Sequence, residues 1–151
     1  MLSDAAADFG LVPATFTAAT GSQLGQLSSR LGNNPVDVGP MMSVREFPFS
    51  VYEDVVPAVL SDPNVDCLTA VCHLGPPILK VFTGLAPLIS RIGKPVTVLG
   101  YGIDLPEMQE SVRQMESMGL PTYLDLETSV KALGVSAAYS RIRARMEEDA
   151  R

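Results

Sequence analysis

A single histidine, His73, stands where the apolar run Val65 to Cys72 ends. Open α/β sheets hold their ligands at the carboxyl ends of strands, so an imidazole there is placed for function. No Asp, Glu or Cys is spaced to partner it, and a partly exposed loop residue is the alternative. Asn34 and Asp37 share the stretch Asn34-Pro35-Val36-Asp37, whose polar side chains could contact a ligand. Both residue types also organise turns by bonding nearby backbone amides. Gly100 and Gly102 flank Tyr101 and would let a backbone approach a phosphate, although a tight turn needs glycine equally. Cys67 and Cys72 lie five apart, which on a strand turns them to opposite faces and argues against a disulfide. They lack zinc-site spacing and read as buried, reduced thiols. The chain has no metal-ligand cluster, nucleophile elbow or P-loop in its sequence.

The elements that must position these residues alternate between helix and strand patterns, which predicts an α/β fold. A short helix is expected over Met1 to Phe9, stopped by Gly10, with Leu11-Val12-Pro13 extended. Leu24, Leu27 and Leu31 recur at helical spacing up to Gly32, and a loop follows from Asn33 to Met42. Ser50 and Glu53 form a capping-box pattern ahead of Val55, Val56, Val59 and Leu60, with Pro57 expected to kink that helix. Val65 to Cys72 reads as a central parallel strand, apolar on both faces. Pro76-Pro77 opens a helix facing inward through Ile78, Val81, Phe82, Leu85, Leu88 and Ile89, which Gly84 and Pro87 should interrupt. Pro95 to Gly100 is a second strand. Asp104 and Glu107 cap a helix whose Met108, Val112, Met115 and Met118 face the core. Pro121 to Leu124 is a third strand, and Asp125 caps a last helix burying Val130, Leu133, Val135, Ala138 and Ile142.

With 151 residues, the chain can build one domain with a sizeable core. Residues 1–145 are read as that domain and 146–151 as a charged tail or linker. A net charge of -6 argues against a nucleic-acid surface, since phosphate neutralisation needs clustered Lys and Arg. Arg141, Arg143 and Arg145 stand among acids and read as a solvated helix end. No signal-peptide pattern or long apolar span is present, so a cytoplasmic protein away from membranes is expected.

Taken in order, several segments resemble the CoA-ligase domain of the NDP-forming acyl-CoA synthetases, relatives of succinyl-CoA synthetase. They are Asn34-Pro35-Val36-Asp37-Val38-Gly39, Leu60-Ser61-Asp62-Pro63-Asn64-Val65-Asp66 and Gly93-Lys94-Pro95-Val96. Met118-Gly119-Leu120-Pro121-Thr122-Tyr123, Leu126-Glu127-Thr128-Ser129-Val130-Lys131-Ala132-Leu133 and the N-terminal Leu2 to Leu11 complete the set. The resemblance implies a flavodoxin-like three-layer sandwich with a parallel sheet. It also implies an acid-thiol ligase working through an acyl phosphate and a phosphohistidine in another domain, so His73 inherits no such role. CoA, ATP and Mg are implied for the full enzyme, with none expected on this chain. CoA-binding and ATP-grasp domains are the implied partners, and a homodimer is open.

The family pattern places a strand and a glycine-rich phosphate loop ahead of Met1, and the sequence contains neither. That strand would be central, between the segment near Leu11 and Val65 to Cys72. A trimmed or late-starting chain is expected, with a non-catalytic interaction module, binding a protein or small anion, as the alternative.

Overall fold

Helix α1 (Leu2–Asp8) is followed by an irregular segment that leads into α2 (Ala18–Leu27), a short α3 (Gly39–Met42) and a 3-10 turn at Pro48–Ser50. Then come α4 (Val51–Ser61), β1 (Leu68–His73), α5 (Pro76–Ile92), β2 (Val96–Tyr101), α6 (Leu105–Ser117), β3 (Thr122–Tyr123) and α7 (Leu126–Asp149). This computed structural model describes residues 2–44 and 46–149. The helix start expected at Met1 and the last two tail residues lie outside it.

The three strands form a parallel sheet in the order β1-β2-β3, with Leu68 opposite Val96 and Val98 opposite Thr122. Helices α4, α5 and α6 pack side by side on one side of the sheet, while α7 lies against all three strands on the other and α1 packs on α7. Strand β2 is central: Val96, Thr97 and Val98 in succession are buried, as a strand covered on both faces requires. On the α7 face a string of hydroxyls satisfies the buried threonine, with Thr69 Oγ1 3.0 Å and Ser129 Oγ 3.3 Å from Thr97 Oγ1. The core is filled by Phe82, Leu24, Leu60, Leu74, Ile78 and Met115, all fully buried. The flavodoxin-like layering expected from the sequence is therefore present.

Several expectations are corrected. Strand β1 begins at Leu68 rather than Val65, because Asp62 and Asn64 fold the preceding residues into a turn closed by Val65 N–H to Asp62 O. It is not central. No strand pairs with its outer side among the described residues, and Val71 is 41% exposed.

Helix α2 stops at Leu27, with Ser28 in an extended conformation, yet Leu31 still reaches the core from the turn that follows. The expected loop from Asn33 to Met42 contains the single turn of α3. Ser50 does not cap α4. It sits in helical conformation at the end of the 3-10 turn and donates its hydroxyl to Phe47 O at 2.7 Å.

Helix α5 runs unbroken through Gly84 and Pro87, both on its exposed side, where water can serve the carbonyl freed by the proline. Helix α4 likewise continues through Pro57. The cap by Asp104 does form, with Glu107 N–H donating to Asp104 Oδ1 at 2.8 Å, and Asp125 accepts from Thr128 N–H at 2.7 Å in the same way.

Helix α7 buries Ser129, Val130, Leu133 and Ala137, whereas Val135 and Ile142 point outward at 64% and 57% exposure. Two apolar rows run along this helix, and only one meets the sheet. Helical structure continues from Met146 to Asp149, within the segment read as a charged tail or linker.

Candidate functional site

The carboxyl end of the sheet is built by the last residues of β1 and β2. His73 and Tyr101 are paired in register, and their rings meet edge to face at 5.5 Å. Tyr101, Ile103 and Leu105 are exposed beside them, Ile103 by 98%, so this end presents an apolar shelf.

The two glycines of the shelf are occupied by packing. A Cβ on Gly100 would lie 2.4 Å from Leu74 Cδ1, and one on Gly102 would lie 2.9 Å from Met108 Cγ. Leu74 and Met108 therefore use the space that the missing side chains leave. Gly75, at a φ of 153°, starts α5, and Glu107 Oε1 stands 3.2 Å from where its Cβ would be. A carboxylate thus sits close to the helix N-terminus that could otherwise attract an anion.

Asn34 and Asp37 lie in a different part of the molecule. Asn34 Nδ2 donates to Ala14 O at 3.1 Å, tying its loop to the segment before α2. Asp37 Oδ1 accepts from Gly39 N–H at 3.0 Å, a local turn. Both side chains organise backbone.

A groove of about 600 Å³ lies between β1 and the segment 11–16, and Asn34 is part of its lining, whereas Asp37, His73, Gly100 and Gly102 are not. The five residues singled out from sequence are therefore divided between two regions. The groove lies where the family pattern places a further strand, between the segment near Leu11 and the run Val65 to Cys72. Tyr52 was passed over. Its hydroxyl donates to Val71 O at 2.6 Å on the open side of β1. Burial, reinforced by Cys72 and Tyr101 nearby, pushes this phenol above the ordinary tyrosine range.

The thiols are quiet. Burial pushes Cys72 up to about 12, and burial followed by the charge of Asp66 raises Cys67 against the opposing pull of Arg141. Among the described residues no three His, Cys, Asp or Glu side chains converge as a metal site.

The loop signals of the sequence meet around Asp62. Its buried carboxylate accepts from Thr17 N–H at 2.8 Å, Thr17 Oγ1 at 3.0 Å and Asn64 N–H at 2.8 Å. Burial opposes its ionisation, but hydrogen bonds from Thr20, Asn64 and Thr17 outweigh that and hold the carboxyl at about 2. Lys94 Nζ donates to Leu60 O at 2.8 Å and Asp62 O at 2.7 Å, closing the C-terminus of α4.

Neither a protein-family model nor a curated protein matches the chain. Solved structures do. One is the dinucleotide forming acetyl-coenzyme A synthetase 1 of Ca. Korarchaeum cryptofilum, at a TM-score of 0.69 and 22% identity, over 98% of this chain and 32% of that one. The chain has the fold of a synthetase segment. The same enzyme in complex with phosphate and ADP gives the same values. PH0766 from Pyrococcus horikoshii OT3 matches at 0.68 and 22% identity, over 90% of this chain and 31% of that one. The chain spans about a third of the length of these structures. The likeness agrees with the resemblance carried by the Asn34, Asp62 and Gly93 segments.

Leu74 and Met108 occupy the space before the glycines, and Glu107 lies beside the α5 N-terminus. No helix among the described residues is long and apolar enough to cross a membrane.

Proposed function

We propose that this chain is the ligase module of an NDP-forming acyl-CoA synthetase, and that its part is to dock the other domains rather than to carry reacting groups. The observation that supports this reading is the match of nearly the whole chain to about a third of an acetyl-coenzyme A synthetase. The reaction of such an enzyme joins a carboxylic acid to the CoA thiol at the expense of ATP or GTP, through an acyl phosphate. The phosphorylated histidine, CoA, ATP and Mg²⁺ belong to the CoA-binding and ATP-grasp domains, and His73 is not assigned that role. The apolar shelf of Tyr101, Ile103 and Leu105 suits docking, because exposed apolar patches of this kind mark protein contacts.

The experiment is co-expression with the CoA-binding and ATP-grasp domains encoded with it. Co-elution on size exclusion, with acyl-CoA formation only when all parts are present, is expected. Separate elution and unchanged activity without this chain would overturn the reading. A parallel titration of phosphate and of CoA to millimolar concentration, followed by amide shifts at His73, Gly102 and Asn34, separates docking from anion holding. Silence at all three positions leaves the docking role. Saturable shifts would favour the alternative, a non-catalytic module binding a small anion.

A further inference from the structure

We propose that the outward face of α7 is a self-association surface, on which α7 of a second copy of this chain packs antiparallel about a two-fold axis. The inference goes beyond the synthetase reading and rests on the pattern of this helix alone.

Val135, Tyr139, Ile142 and Met146 are each between 57% and 66% exposed. Steps of four, three and four residues separate them, so they form one row along α7. That row stands on the opposite side of the helix from Val130, Leu133 and Ala137, which are buried toward the sheet. Helix α1 packs on α7 beside the row, through Phe9 against Gly134, and leaves the row uncovered. Alternating steps of four and three are the spacing at which a helix presents apolar knobs to a second helix. The row runs ~16 Å, about three turns.

Charge selects the partner and its direction. Let a second α7 lie antiparallel on the first, with the two-fold axis passing between Ser140 and Arg141. Val135 then packs on Met146 of the second copy, and Tyr139 packs on its Ile142, so every layer of the row is apolar. Lys131 and Asp149 project from the same flank of the row, about five turns apart. The axis brings Lys131 of each copy beside Asp149 of the other, an opposite-charge contact at both ends of the row. Charges that flank an apolar seam set partner choice and orientation in this way.

The basic residues are accommodated as well. Arg143 falls beside Ser136 of the second copy and Arg145 beside its Ala138, so no two arginines confront each other. Arg143 is also paired with Glu147 on its own helix at 3.0 Å. A parallel pair in register instead sets Asp149 against Asp149 and Lys131 beside Ser136. The row is therefore complementary to itself reversed. A covering segment of unrelated sequence would need no match between residues 131 and 149. With four apolar side chains from each copy the contact is small, so association is weak and concentration-dependent.

Sedimentation velocity of the intact chain, from micromolar to millimolar concentration, should show monomer passing to dimer. Ile142→Glu should weaken the dimer about tenfold or more, with an unchanged far-UV circular dichroism spectrum showing that the fold persists. Lys131→Asp and Asp149→Lys should each weaken it roughly two- to tenfold. Combined in one chain, the two reversals restore the contact in the opposite sense and should return the wild-type association. A monomer at every concentration would overturn the proposal, as would a dimer that survives Ile142→Glu. Failure of the double reversal to recover association would overturn the antiparallel pairing and the proposal with it. If the chain alone stays monomeric and Ile142→Glu instead abolishes co-elution with the CoA-binding and ATP-grasp domains, the row belongs to those domains.

Discussion

The carboxylate of Asp62, at the end of α4, accepts the backbone N–H of Thr17, which begins α2, at 2.8 Å across 45 residues of sequence. One buried side chain thereby closes one helix entrance and fixes the turn before β1, through Asn64 N–H at 2.8 Å. Its carboxyl is held at about 2 against an ordinary value of 3.8. The folded state therefore binds its proton less readily than the unfolded chain. The stability contributed is fully present above the unfolded value and is lost as pH falls from about 4 through 2. Thermal melts of the wild type and Asp62→Asn across that window test this. The variant should be less stable at pH 7 and should show a shallower acid limb. Parallel limbs would remove Asp62 as the source.

Lys94 closes the other end of the same knot. Lys94→Met leaves Leu60 O without the ammonium and Asp62 O with Val65 N–H alone, while keeping the aliphatic stem. A loss of ~1–3 kcal/mol in urea unfolding is expected, the cost of removing a charged donor from these carbonyls. A change within ~0.5 kcal/mol, typical of surface positions, would show that water replaces the ammonium.

The two apolar rows of α7 should behave differently. Leu133→Ala removes a side chain that is 5% exposed and should cost ~2–5 kcal/mol, whereas Val135→Ala, at 64% exposure, should stay within ~0.5 kcal/mol. Denaturant midpoints of the two variants decide between this assignment and the inward placement of Val135 that periodicity suggests.

Close approaches at two glycines admit no methyl group. Gly134→Ala would bring Cβ to 2.8 Å from Phe9 O, a backbone atom, and Gly100→Ala would place it 2.4 Å from Leu74 Cδ1. Each should destabilise by ~1–3 kcal/mol through overpacking. Leu74→Ala combined with Gly100→Ala should recover part of the second loss relative to the sum of the singles, which a double-mutant cycle measures.

The cysteines offer a chemical check. With its thiol at about 12 and its side chain buried, native Cys72 should stay unmodified by a thiol reagent at pH 8, while half-buried Cys67 reacts slowly. Both should react at once in guanidinium. Rapid native modification of Cys72 would place it at the surface.

Local sequence determined a great deal here. Asp104 and Asp125 announce their helices because a cap needs only a carboxylate and an amide three residues on. Val96 to Val98 announce a covered strand by unbroken apolar character, and the order of loop motifs carries the synthetase-like fold. Tertiary structure decided the rest. Val65 to Cys72 has the composition of a central strand, but whether an edge is paired depends on what lies beside it, which no local pattern encodes. The two rows of α7 are alike in hydrophobicity, and only contact with the sheet selects Val130 and Leu133 over Val135 and Ile142. Gly100 and Gly102 suit a phosphate loop as well as a packing site until Leu74 and Met108 are seen to fill the space. Asp62 and Lys94 look like turn residues because their partners, Thr17 and Leu60, become neighbours only when α2, α4 and the turn before β2 fold against one another.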